Sequence, residues 1–271
     1  MANITELQFQ GDSTVHKLND ARITTTPITN PTHILGSENA NLTSIAPITI
    51  ANLASVMASA ISLQPVLAGV NDNVFIMTNR KSDGYPIMYK TRNWTAQQNA
   101  GEVAAGVVVV DGGHVLVVAP TESTTKLNWG SADVEGGGVT TINRETAYSD
   151  FAGKANTASQ ITHAEMSGEG YAPGFCHAYS RVNANGKGLT AGKWWLPSLG
   201  EMMMIYANMT KINYALSLIE GATQLVEDVY WTSTEYRAAT AWYIFLNDGL
   251  MFSSTKATNT YRVRPVSAFI S

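Results

Sequence analysis

Hydrophobic positions along this chain follow two periods, and each predicts its own elements. Ile50, Leu53, Ala54, Met57 and Ile61 recur at helical spacing, which predicts a helix opening at Pro47 and Thr49 and stopping near Pro65. Phe175, Cys176, Tyr179 and Val182 mark a second helical piece, with Cys176 in the core as a small hydrophobe. Leu199, Met202, Met203, Tyr206 and Met209 form a third stripe. Ile212, Ala215, Leu216 and Ile219 form a fourth, ended by Gly221 as a left-handed residue. Shorter apolar runs at 74–77, 86–89, 107–110 and 115–119 predict strands. The last two flank Asp111-Gly112-Gly113-His114, a hairpin signal whose histidine reads as a solvated loop residue. Residues 1–45 show no sustained period, only short pieces at 15–18 and 33–35 between prolines and glycines. Such a segment buries too little apolar area to offset its ordering entropy and is expected to order against a partner.

The densest pattern lies at 193–266. Lys193-Trp194-Trp195-Leu196-Pro197-Ser198-Leu199-Gly200-Glu201 reads as a strand halted by Pro197 and running into a helix. Ser198 and Glu201 carry the S-x-x-E spacing of a capping box. A terminal sheet opens at 229–232, and Asp248-Gly249 is a two-residue turn signal. Counting outward from that turn pairs Asn247 with Leu250, Leu246 with Met251, Phe245 with Phe252, Ile244 with Ser253 and Tyr243 with Ser254. Alternation then sets Trp242, Ile244, Leu246 and Met251 on one, greasier face. Tyr243, Phe245, Asn247, Leu250, Phe252 and Ser254 share the other, with a loop at 235–240 expected beside it. Gly136-Gly137-Gly138 reads as a flexible loop and 183–192 as a Gly/Asn-rich one. Neither is a phosphate cradle: the first has no strand leading in and no helix start after it. The second places Trp194 after Gly192-Lys193, where Ser or Thr is needed.

Several of these pieces resemble one domain group. Trp195-Leu196-Pro197-Ser198 with Glu201, Tyr230-Trp231-Thr232-Ser233-Thr234-Glu235, Ala241-Trp242, Gly249, Lys256 and Val263-Arg264-Pro265-Val266 are similar to W-L-P-S/T-x-x-E … Y-W-S/T-S-T-E … A-W … G … K … V-R-P-V. That pattern belongs to C-type-lectin-like domains near the formylglycine-generating enzymes and the variable proteins of diversity-generating retroelements. Asp150-Phe151-Ala152-Gly153-Lys154-Ala155-Asn156-Thr157 resembles the D-F/Y-x-G-K-x-N-T stretch leading into the first helix of the same group. The resemblance covers roughly the last two-thirds of the chain. It implies an α+β, C-type-lectin-like fold with two helices and a small twisted antiparallel sheet over residues 70–271. An extended attachment and oligomerisation segment with one helix precedes it at 1–69. In that segment the order I-L-G-S, then I-T-I-A-N-L-A-S-V, is similar to amino-terminal segments of phage tail and fibre subunits. In the retroelement-diversified proteins the terminal stretch carries the changeable positions on a fixed scaffold. Carried over, Trp231, Trp242, Gly249, Lys256 and Arg264 are scaffold. Tyr236, Arg237, Tyr243, Phe245, Asn247 and Phe252 are ligand contacts, joined by Ser254 from the strand alternation.

Composition narrows the function. At 14% charged residues with a net charge of −4, and with Lys and Arg scattered, the chain has no basic footprint for nucleic acid. Its single cysteine, Cys176, permits no intrachain disulfide and no cysteine-rich zinc site. It also excludes the paired-cysteine chemistry of the formylglycine-generating branch. No H-E-x-x-H, G-x-S-x-G or C-x-x-C is present, so no enzyme, metal or cofactor is expected. Glu201 is spoken for as a cap, whereas Glu227, Asp228 and Glu235 are hard oxygen ligands of the kind Ca²⁺ takes. Leu246-Asn247-Asp248 echoes a sugar-binding W-N-D, but the hairpin explains it better. The amino terminus lacks a basic region followed by an apolar run, so no secretory signal is expected. The apolar run at 103–110 is too short to span a bilayer, and no membrane insertion is expected. With these exclusions, the resemblances imply a non-enzymatic phage virion fibre or receptor-binding (adhesin) subunit on the particle surface. It is expected to be a homo-oligomer, a trimer by analogy with phage fibres, joined to other virion proteins through residues 1–69. Its partner is a host cell-surface glycan or protein. The alternatives are a decoration or assembly subunit without a receptor, and a place on the bacterial cell surface.

Overall fold

The computed structural model describes residues 73–269 and, ahead of them, four short strands: β1 (Glu6–Gln8), β2 (Val15–Lys17), β3 (His33–Ser37) and β4 (Ile45–Thr49). The chain divides into two compact units, Met1–Val70 and Asn71–Ser271. In the first, β1 pairs antiparallel with β2 and β3 with β4, Leu35 lying opposite Pro47. Pro47 and Thr49 therefore sit in a strand and not at a helix start. The β-branched Ile45, Ile48 and Thr49 favour the extended backbone there. The helical stripe Ile50, Leu53, Ala54, Met57 and Ile61 lies outside the described residues.

The second unit begins with β5 (Val74–Asn79), β6 (Pro86–Lys90), α1 (Thr91–Asn99), β7 (Ala104–Asp111), β8 (His114–Val118) and β9 (Leu127–Asn128). Four short helices follow: α2 (Arg144–Tyr148), α3 (Gly153–Gln160), α4 (Ala164–Ser167) and α5 (Ala172–Ala178). Then come β10 (Arg181–Val182), β11 (Gly188–Leu189), β12 (Trp194–Trp195), α6 (Leu199–Ala207) and α7 (Met209–Ser217). The unit closes with β13 (Val229–Arg237), β14 (Thr240–Phe245), β15 (Met251–Thr255), β16 (Thr260–Tyr261) and β17 (Val266–Ser267). This is an α+β architecture with more helices than the two expected, and its largest sheet has six strands in the order β12-β17-β8-β7-β5-β6. Every paired strand in it is antiparallel. A separate three-stranded sheet has the order β13-β14-β15. Among the described residues no helix is long and apolar enough to cross a membrane.

The helices end where local chemistry ends them. The Glu201 carboxylate accepts the Ser198 N–H at 2.9 Å, closing the expected cap at the start of α6. That helix stops at Asn208 and α7 starts at once, so the stripe from Leu199 to Met209 spreads over two helices. Leu199, Met202, Met204 and Ile205 are buried, while Met203 and Tyr206 are half-buried. Helix α5 ends at Ala178, which leaves Val182 exposed in β10 and off the stripe that buries Cys176.

Two apolar cores flank the three-stranded sheet. The larger joins Ile76, Val107, Val109 and Val118 of the six-stranded sheet to Leu199, Met202, Ile205, Ile212 and Leu216 of α6 and α7. Tyr230, Trp242, Ile244, Leu246 and Met251 complete it from one face of the terminal sheet. The smaller holds Trp129, Met166, Cys176, Leu196 and Val263 against Trp231 and Ala241, with Tyr243 and Tyr261 half-buried at its border.

Candidate functional site

The terminal sheet stands on a buried polar framework. Thr232, Ser233, Thr234 and Glu235 of β13 are all fully buried, and each is satisfied by a loop, a neighbouring helix or the adjacent strand. The Thr232 hydroxyl donates to the Trp242 carbonyl at 2.8 Å, and the Gln160 amide donates to the Ser233 carbonyl at 2.7 Å. The Thr234 hydroxyl donates to Asp150 at 2.7 Å and accepts the Leu199 N–H at 2.9 Å. Asp150 also takes the Asn156 amide and the Ala152 N–H, so the 150–157 stretch is tied to the sheet by side chains.

Glu235 is the centre of the most buried charge cluster. Its carboxylate accepts the Gly136 N–H at 2.9 Å and the Gly138 N–H at 3.4 Å, and it forms an ion pair with the fully buried Lys256. The Lys256 ammonium also donates to the Val134 and Ala238 carbonyls, each at 2.7 Å, and lies 4.4 Å from the centre of the Trp129 ring. All three ammonium protons are used, and burial lowers the Lys256 pKa while Glu235 opposes that shift. The Gly136–138 segment is thus no flexible loop but a carboxylate cradle. A Cβ at Gly136 would stand 2.9 Å from the Glu235 oxygen and 2.7 Å from Gln160. Glu235 and Asp228, possible Ca²⁺ ligands by type, are held otherwise: Asp228 pairs with Lys126 and Arg262, which help hold its pKa near 2. Among the described residues no group of three His, Cys, Asp or Glu is placed to hold a metal ion.

The expected scaffold residues lie inside this framework. Trp231 and Trp242 are buried and donate their indole N–H groups to the Leu127 and Thr141 carbonyls, both at 2.9 Å. Arg264 is buried, donates to the Ala119 and Thr223 carbonyls and pairs with Glu122 at 3.2 Å. Gly249 has φ +76°, and a Cβ there would stand 2.6 Å from the Tyr206 ring.

The hairpin register differs from the expected one. Ile244 pairs with Met251, Tyr243 with Phe252, Trp242 with Ser253 and Ala241 with Ser254. Each partner lies two residues from its expected position, because Asp248-Gly249 belongs to a five-residue connection, 246–250, and not to a two-residue turn. Leu246 drops into the core, the Phe245 carbonyl accepts the Gly249 N–H at 2.9 Å, and Asp248 accepts the Leu250 N–H at 3.0 Å. An even slip preserves which side chains share a face. Trp242, Ile244, Leu246 and Met251 are accordingly all buried on one side.

On the other side Tyr243, Phe245 and Phe252 form an aromatic group with Trp231 and Tyr261. Ring centres are 5.6 Å apart for Tyr243–Phe245, 6.3 Å for Tyr243–Phe252 and 6.3 Å for Phe245–Phe252. Tyr261 joins Tyr243 at 4.8 Å and Trp231 at 4.4 Å, and donates to the Ser254 hydroxyl at 3.1 Å. Burial, with Tyr261 adding, pushes the Tyr243 phenol upward. The group runs from buried Trp231 through half-buried Tyr243, Phe245, Tyr261 and Ser254 to Phe252, 45% exposed. Leu250, 52% exposed, and Asn247 lie at its open edge. Sequence reasoning did not place Tyr261 here, since β16 is two residues long and pairs with distant β9.

Two expected contacts lie elsewhere. Strand β13 runs on through Tyr236 to Arg237, and the two-residue turn falls at Ala238-Ala239. Tyr236 packs edge-on to Trp242 at 5.0 Å, on the larger-core side of the sheet, and Arg237 lies 5.4 Å from the Tyr236 ring. Tyr236 and Arg237 are therefore not part of the Tyr243–Phe252 face.

No protein-family model matches this chain, and no curated protein matches it. Among solved structures it is similar to a fimbrial protein from Bacteroides ovatus ATCC 8483, with 17% sequence identity and a TM-score of 0.36. The alignment covers 57% of this chain and 36% of that one.

Proposed function

We propose that this chain is a non-enzymatic binding subunit whose C-type-lectin-like domain presents the Tyr243–Phe252 face to a host cell-surface glycan or protein. In this reading the chain belongs to a phage virion, where residues 1–69 attach and oligomerise it. The observation that carries the reading is an exposed aromatic edge on a sheet that is otherwise locked from beneath. Phe252 and Leu250 are large apolar side chains left open beside Asn247, and a contiguous exposed apolar group of this kind marks an interaction surface. Rigid aromatics with small polar neighbours supply contact area at low entropic cost. The second support is that Trp231, Trp242, Gly249, Lys256 and Arg264, assigned to the scaffold by the resemblance, are the residues the framework uses.

The test is a cell-binding assay with the fluorescently labelled full chain across a panel of bacterial strains. Saturable binding to at least one strain, displaced by unlabelled chain, is expected. Absence of binding to every strain, together with stable association with purified virions, would favour the decoration subunit.

A further inference from the structure

Away from the terminal sheet, a solvent-open groove of ≈ 360 Å³ lies between the β7–β8 hairpin and the first turns of α6. Its lining includes Tyr148, Phe151, His114, Met203, Met204 and Asp111. Tyr148 and Phe151 are 40% and 37% exposed, so two large rings face water on a wall that folding has not covered. The wall is built rather than loose. Phe151 stacks on His114 with ring centres 3.8 Å apart and planes within 6°, which fixes its ring plane. Gly200 N–H donates to the Asp150 carbonyl, and a Cβ at Gly200 would stand 2.5 Å from that oxygen and 2.8 Å from the Phe151 ring. Only glycine lets the 148–151 segment lie this close to α6.

The charge in the groove is one-sided. Asp111 is oriented by the Asn208 amide, which donates to its Oδ2 at 2.8 Å. Among the described residues no hydrogen bond reaches Oδ1 and no Lys or Arg lines the groove. Aromatic faces, polarisable thioethers and one carboxylate are the surroundings that favour an organic cation. A primary ammonium or a guanidinium brings three or five N–H donors, and the side chains here offer them little beyond one carboxylate, one phenol oxygen and one imidazole nitrogen. A quaternary ammonium has no donors to satisfy and spreads its charge over methyl groups that suit rings and sulfur. We infer that this groove binds a quaternary ammonium group of the trimethylammonium type, with Tyr148 and Phe151 as its aromatic walls and Asp111 as its counter-ion. This site is separate from the Tyr243–Phe252 face and does not depend on it.

The experiment is titration of the full chain, labelled with ¹³C at its methionine methyls, with choline chloride. Saturable shifts confined to Met203 and Met204 are expected, each signal assigned by its Met→Leu variant. The neutral isostere 3,3-dimethylbutan-1-ol should bind roughly tenfold more weakly, because it lacks the cation–π and ion-pair attraction. Asp111→Asn and Phe151→Leu should each weaken choline binding by about the same factor with an unchanged melting temperature. Flotation with phosphatidylcholine vesicles separates the sources: choline-displaceable capture assigns the ammonium to a lipid headgroup, and no capture assigns it to a free small molecule. Equal affinity for the neutral isostere, no saturation with choline, or wild-type affinity in both variants would overturn the inference.

Discussion

Lys256 and Glu235 show how one pair of side chains can hold several segments. They bring the 134–138 segment, the Ala238 turn and strand β13 to a single point. Removing one partner leaves the other charge buried, so Lys256→Met should cost about 3–5 kcal/mol in chemical denaturation. Adding Glu235→Gln to Lys256→Met should cost much less than the sum of the two single changes, and strict additivity would show that the pair is not coupled. Glu201 makes a separate prediction. Burial pushes its carboxyl up to about 7, although the Ser198 N–H and the Trp195 indole hold it down. A carboxyl whose folded pKa is raised binds its proton more tightly in the folded state, so its contribution is full below the ordinary value and is lost as pH rises towards about 7. Stability relative to Glu201→Gln should therefore rise as pH falls from 7 towards 4.5, by at most about 1.4 kcal/mol per pH unit. A pH-independent difference would contradict this. Cys176 is fully buried and burial raises its thiol pKa well above the ordinary value. Native protein should resist thiol labelling, and Cys176→Ala should cost about 1 kcal/mol. The scaffold roles of Lys256 and Trp231 were legible from the motif. The Gly136 cradle was not, because it meets Glu235 across 99 residues and local spacing carries no trace of that.

At the scale of elements, the terminal hairpin was legible in its faces and misread in its register. Alternation depends only on parity, so a slip of two residues left the buried and open sets intact. The register depended on treating Asp248-Gly249 as the whole turn, whereas Leu246 is drawn into the core and lengthens the connection. The true two-residue turn, Ala238-Ala239, has no Gly, Asn or Asp to announce it, which is why Tyr236 was expected in a loop. Gly249→Ala tests the observed geometry. It combines a left-handed backbone with a Cβ 2.6 Å from the Tyr206 ring, and should cost about 1–3 kcal/mol. Pairing it with Tyr206→Ala should recover only the steric part, and full recovery would mean that the backbone at 249 is unstrained.

For the whole molecule, the α+β class implied by the resemblance is the one the described residues adopt, but the strand order was not legible. Strands β12 and β17 are two residues each and enter the six-stranded sheet from far along the chain, β17 beside β8 and β12 beside β17. Short strands of that kind have no periodicity to detect. The division into Met1–Val70 and Asn71–Ser271 supports a prediction about assembly. The full chain should sediment as a homo-oligomer, and removing residues 1–66 should leave a folded monomer. A monomeric full-length chain would remove the oligomerisation role from the first unit. The proposed binding face is tested most directly by Phe252→Ala combined with Leu250→Ser, compared with wild type in the cell-binding assay and in thermal melts. Both side chains are largely exposed, so the melting temperature should stay within a few degrees while binding is lost. Undiminished binding by this variant would contradict the assignment of that face, and unfolding of the variant would show that the face is core.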